Sequence, residues 1–180
     1  SLQQRHRTYL AIIIIAGACS VLVSISDLLY GAIPREWLIL ASLTVISGSV
    51  PIRLYSIPVA LSVSETFVFM SVILFGPSAG TLTVVLDAAV ISFWSFKRGQ
   101  KVVKVAFNLC ALPLTIWLAA HLLFAVADFE PLFRSTDSIN LQRLLWPLLL
   151  CTIAYFLLSS WTITLAIAFE RGLSPLAIWR

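Results

Sequence analysis

The sequence predicts an all-α fold, an integral membrane bundle of six transmembrane helices with both termini cytoplasmic. Three observations lead there. Of 180 residues, 60% are hydrophobic and 11% charged, with a mean hydropathy of +1.00, against roughly 45–50% apolar and ~25% charged in a soluble domain. The charges are clustered, leaving uncharged stretches at 8–26, 37–52, 66–86, 88–96, 105–127 and 144–169. The twelve basic residues are also divided unevenly between alternate connections. Too few polar residues are present to cover a water-facing surface, which excludes a soluble enzyme, a nucleic-acid binder and a disordered tail.

A spanning helix needs ~20 apolar residues, so the chain fits a single domain of about five to seven helices. The first helix is placed at 8–29, after the polar, basic opening Ser1 to Arg7. Its apolar stretch is longer than a signal-peptide core and has no clear cleavage site, so it reads as a retained span. The second, at 36–50, is short for a ~30 Å hydrocarbon core. It leads into Pro51-Ile52-Arg53-Leu54-Tyr55-Ser56-Ile57-Pro58, an interruption bracketed by prolines. The run 66–96 exceeds one span, and Gly76-Pro77 divides it, since Gly ends helices and Pro starts them. That gives helices at 58–75 and 78–96. The last two are placed at 103–126 and 142–169.

Lys and Arg in short loops mark the cytoplasmic side. With the N-terminus inside, Arg5, Arg7, Arg53, Lys97, Arg98, Lys101, Lys104, Arg171 and Arg180 fall on the inner segments, nine of the twelve. Only Arg35, Arg134 and Arg143 fall outside. The alternative is five spans with a re-entrant segment at 37–58, which would put the basic loop 97–104 on the side opposite Arg5 and Arg7. Six spans are therefore preferred. The basic loop reads as an anchor beside anionic headgroups. Cys19, Cys110 and Cys151 lie within apolar spans at no metal-binding or disulfide spacing, and read as small packing residues. The opening without an initiator Met and the ending at Trp179-Arg180 predict a fragment of a longer protein, truncated before a cytoplasmic output domain.

An ionisable residue inside a span is costly and marks a candidate site. Asp87 stands midway along the fourth helix and shares a face with Thr83 and Gly80. It is either satisfied by Ser, Thr or Asn of neighbouring helices or available to a ligand or proton. Glu65 lies near the start of the third helix, where Ser62 and Glu65 have capping-box spacing; alternatively it faces a pocket beneath the Pro51 to Pro58 loop. Asn108 shares a small polar face with Ala111 and Thr115, suited to interhelical hydrogen bonding. The first helix carries a stripe of Gly17, Ser20, Ser24 and Asp27, and the last one of Cys151, Tyr155, Ser159 and Thr162. Both are suited to close helix approach. Trp37, Trp94, Trp146 and Trp179 fall near span ends, where indoles sit at headgroup level. Trp117 and Trp161 lie deeper, and Trp117 is a candidate wall of an apolar ligand pocket. His121 has no second His or Cys at metal spacing, so neither a metal nor another cofactor is expected.

The succession Ala60-Leu61-Ser62-Val63-Ser64-Glu65-Thr66-Phe67-Val68-Phe69, followed by Leu74-Phe75-Gly76-Pro77, Leu86-Asp87, a basic loop and Phe107-Asn108-Leu109, resembles the N-terminal multi-helix membrane sensor module of bacterial signalling proteins. In those proteins the module precedes a GGDEF diguanylate cyclase, an HD-GYP phosphodiesterase or a histidine kinase. The resemblance implies a module of the bacterial cytoplasmic (inner) membrane, acting in cyclic di-GMP or kinase signalling. It is not itself an enzyme, and it works as a homodimer because such output domains work in pairs. The helix count and short second span also resemble the S-components of energy-coupling-factor transporters. Those dock their partner through an Ala-x-x-x-Ala stripe on the first helix, for which the nearest match here is Ala16 with Ser20.

The sequence thus leads to the expectation of a sensory or regulatory module that binds a small or lipid-like ligand, or senses membrane state. Glu65, Thr83, Asp87, Asn108 and Trp117 are its candidate ligand-binding residues, and membrane lipids its constant partners. The alternative is a small-molecule uptake subunit. An intramembrane enzyme has no nucleophile–base pair or His-Glu-x-x-His motif to support it.

Overall fold

The computed structural model describes residues 2–49, 64–97, 99, 102–128, 130–134, 141–172 and 174–175. Among them the chain is all-helical, with α1 (Leu2–Leu29), α2 (Trp37–Ser49), α3 (Ser64–Phe75), α4 (Pro77–Lys97), α5 (Val102–Ala127) and α6 (Leu141–Arg171). The expected interruption at Pro51 to Pro58, the cap residue Ser62 and most of the basic loop 97–101 lie outside the described residues. The first helix starts earlier than expected and carries Arg5 and Arg7. Arginine is a good helix former, so a basic residue there does not stop the helix.

Three helical stretches, Gln4–Leu29, Val102–Val126 and Leu145–Arg171, are long and apolar enough to cross a membrane, which points to a membrane protein. The outer faces of the first and last carry large apolar side chains, among them Ile15, Leu22, Ile153 and Phe156. Of the remaining helices, α4 has 21 residues and is on the order of 30 Å long, and the described parts of α2 and α3 have 13 and 12, about 18–20 Å at 1.5 Å per residue.

Contacts at the two ends of the bundle fix the helix directions. At one end the Tyr9 hydroxyl donates to the Thr162 carbonyl (3.0 Å) and Lys104 pairs with Glu170 (3.5 Å). At the other, Ser78 donates to the Asp27 carboxylate, Arg134 to the Ala32 carbonyl, and the Leu132 amide to the Ile73 carbonyl (3.1 Å). So α1, α3 and α5 run one way, and α2, α4 and α6 the other. Helices α4 and α5 are central, α4 packing on α1, α2, α3 and α5, and α5 on α1, α4 and α6.

Apolar lipid tails give helices little hydrophobic reason to associate, so close packing of small residues has to supply it. The α1 stripe does so: a Cβ at Gly17 would overlap the Cys110 carbonyl of α5, and Ser20 and Ser24 are buried, their hydroxyls turned back to α1 carbonyls (2.8 and 2.9 Å). One core cluster joins Val68, Val72, Val84, Ile116, Leu123 and Cys151. A second, toward the Asp27 end, is built on Ile33, Trp37, Phe75 and Leu82.

The Gly76-Pro77 break forms as the sequence predicts. Gly76 adopts φ +100°, a left-handed conformation favourable only without a side chain, and its amide closes α3 on the Val72 carbonyl at 2.9 Å. Pro77 opens α4 at the position where its missing N–H costs nothing. The two helices fold back against each other, and Gly80 lies so close to Val72 that a Cβ there would overlap the valine methyl. A Gly80→Leu variant is expected to lose on the order of 1–3 kcal/mol through overpacking. Leu149→Ala on the exposed α6 face should stay within ~0.5 kcal/mol. Unfolding followed by helical circular dichroism in detergent checks this, and equal midpoints for the two variants would contradict the packing.

Candidate functional site

The α3–α4 pairing sets residues opposite one another in three tiers, two of them polar. Nearest the turn, Gly80 meets Val72. In the middle, Thr83 Oγ1 lies 3.0 Å from Ser71 Oγ and 2.8 Å from the Ala79 carbonyl of its own helix. Trp37 of α2 completes this tier, its indole N–H donating to Thr83 Oγ1 (2.9 Å) and the Ala79 carbonyl (3.1 Å). Furthest from the turn, the Ser64 hydroxyl donates to the Asp87 carboxylate. The face predicted for Gly80, Thr83 and Asp87 is therefore real, and α3 covers it.

Trp37 is 5% exposed and hydrogen-bonded in the core, because Thr83 and the Ala79 carbonyl offer its N–H partners inside the bundle. Trp146, by contrast, is 77% exposed. Thr83 joins three helices, its hydroxyl engaged by Trp37, Ser71 and Ala79.

Asp87 and Glu65 come together. Glu65 follows Ser64 on the first turn of α3, and its carboxylate lies within electrostatic reach of Asp87. Tyr155 of α6 lies within reach of both, held by an edge-on contact with Phe69 at 5.5 Å between ring centroids. Asp87 Oδ1 is buried and has no hydrogen-bond partner among the described residues. It faces the α2 backbone, and a Cβ at Gly48 would stand 2.8 Å from it. Among the described residues no basic side chain forms an ion pair with either acid; the ion pair present there is Lys104 with Glu170. Two neighbouring carboxyls call for a compensating positive charge or a bound proton.

Ser64, the first described residue of α3, meets Asp87 about halfway along α4, with ten residues of α4 continuing past it.

Asn108 and Trp117 stand elsewhere. Asn108 lines a cavity of about 190 Å³ with Ala88 and Ile91, one turn beyond Asp87, and a second of about 190 Å³ between α1, α5 and α6. Trp117 stacks on His121 one turn along α5, with ring centroids 4.0 Å apart, and His121 Nδ1 lies 2.8 Å from the Trp117 carbonyl. Its indole N–H is buried without a partner among the described residues. Sequence reasoning missed Gly48, which carries no signal except its size. Ser64 and Tyr155 were noted only as parts of a capping segment and a packing stripe. Comparison with protein families, curated proteins and solved structures finds no match to this chain.

The contact between Gly48 and Asp87 has a direct consequence. Gly48→Ala is expected to destabilise the protein by about 1–3 kcal/mol through overpacking. In an Asp87→Ala background, where the opposing oxygen is gone, the same change should cost markedly less. A double-mutant cycle on unfolding midpoints measures the difference, and strictly additive effects would contradict the contact.

Proposed function

We propose that this chain is a membrane-embedded sensory or regulatory module of the bacterial cytoplasmic membrane. It crosses the bilayer six times with both termini inside, and takes a small ligand with a cationic or proton-donating group at Glu65 and Asp87. The observation that carries this reading is the meeting of two carboxyls, from α3 and α4, beside Tyr155 of α6. Asp87 stands near mid-membrane if α4 spans a ~30 Å core, and an ionisable residue at that depth has functional use as its usual explanation.

Signalling follows from differential binding, since a ligand with equal affinity for two helix packings shifts neither. Tyr155 lies on α6, which ends at Arg171, so a ligand that engages the acids and the phenol favours one placement of α6 over another. The last helix is then the output element toward a cytoplasmic domain. Two carboxyls inside a helical bundle fit a small-molecule uptake subunit as well, and liposome transport separates the two, because a sensor moves no ligand across.

Thermal unfolding in detergent, with tetramethylammonium chloride as the cationic probe against sodium chloride as control, tests the site. The wild-type protein should gain several degrees with the probe, and Asp87→Asn and Glu65→Gln should each lose most of that gain. Equal shifts in all three proteins would remove both acids from the account.

A further inference from the structure

We propose that the groove between α5 and α6 is a binding site for one acyl chain of an anionic phospholipid, with the headgroup held at Lys104 and His6. The proposal goes beyond the Glu65–Asp87 site and rests only on the reading of the long apolar helices as membrane-crossing. Two cavities of about 190 Å³ each share Phe107, Asn108 and Ile163, and so adjoin one another along the α5–α6 seam, which we take as one groove. Together they reach the size of an ordinary small-ligand site, ~300–1,000 Å³. The groove follows α5 from Val103 to Thr115, on the order of 18 Å at 1.5 Å per residue. That is close to half of a ~30 Å hydrocarbon core, the depth of a single leaflet.

The chemistry along the groove changes as a phospholipid does. In its deep half, the hydroxyls of Thr115, Ser159 and Thr162 all turn back to carbonyls of their own helices, at 2.8, 3.1 and 2.6 Å. They offer the groove little but methyl and methylene surface beside Leu112 and Ile163. Further along, the exposed Asn108 amide makes no hydrogen bond among the described residues, at a level suited to an ester carbonyl. At the mouth lie Lys104, paired with Glu170, and His6, whose Nδ1 is buried without a partner among the described residues. Arg5, Arg7 and Arg171 belong to the same end of the bundle, so basic residues outnumber Glu170 there and favour a negative headgroup. The Lys104–Glu170 pair is half-exposed and therefore weak, leaving the ammonium free to exchange its partner for a phosphate. Val103 and Ile163 are exposed at the groove edge, which gives a chain lateral entry from the bilayer.

Native mass spectrometry of the delipidated protein in detergent tests this with three probes: dioleoylphosphatidylglycerol, dioleoylphosphatidylcholine and glycerol phosphate. The wild-type protein should retain one phosphatidylglycerol about fivefold better than phosphatidylcholine, the scale of one basic contact, and glycerol phosphate should not bind. Lys104→Gln, a change at an exposed position, should bring the two lipids to parity. Ala166→Phe, which fills the groove, should reduce retention of both. Equal retention of the two lipids by the wild-type protein would overturn the proposal. So would glycerol phosphate binding as well as the lipid, since the site would then be a headgroup site without a chain, or an unchanged lipid preference in Lys104→Gln.

Discussion

The antiparallel contact between α3 and α4 sets where everything else in the bundle can go. It is made possible by two glycines and a proline: Gly76 turns the chain at a positive φ, Pro77 starts the return helix, and Gly80 lets the two backbones approach. Once the helices are that close, their facing hydroxyls must satisfy one another, because no water is available within an apolar bundle. Ser71 and Thr83 do so, and Trp37 joins them by donating its indole N–H. That bond in turn holds α2 against α4 and brings Gly48 beside Asp87. A polar seam thus fastens α2 and α3 to α4 more specifically than apolar contact alone would.

The seam sets the register in which the two acids meet: the first described turn of α3 falls opposite the middle of α4. Ser64 then supplies one hydrogen bond to Asp87, Glu65 adds a second carboxyl, and Tyr155 closes the arrangement from α6. Asp87 retains an oxygen without a protein partner among the described residues. The same polar chemistry that is satisfied within the bundle at Thr83 is left open at Asp87 among the described residues.

Much of the helix pattern was legible in the sequence, because charges are so few that they punctuate the chain, and because Gly-Pro is a strong local signal. The shared face of Gly80, Thr83 and Asp87 was legible too, since helical spacing alone puts those residues in line. Spacing could not say which neighbour covers that face; Ser71 and Trp37 engage Thr83 there. The burial of Trp37 was hidden for a related reason: its place near a helix end is a local property, whereas its burial depends on how α2 leans on α4. Gly48 was invisible, because a glycine in an apolar helix has many uses and only a tertiary contact selects one. The cavities that Asn108 lines were equally hidden, as the α5–α6 groove is built by residues some 50 positions apart in sequence.

The central claim is that α3 holds Glu65 beside Asp87 inside the membrane. Electron paramagnetic resonance of spin labels at single cysteines in nanodiscs measures depth through the opposing accessibilities to oxygen and to a water-soluble nickel chelate. Labels at positions 65, 75 and 97, each on an otherwise cysteine-free chain, report the level of Glu65, the end of α3 and the far end of α4. The expected result is position 65 deep in the hydrocarbon, with 75 and 97 near opposite headgroup layers. Position 65 at headgroup depth, level with 97, would contradict the account.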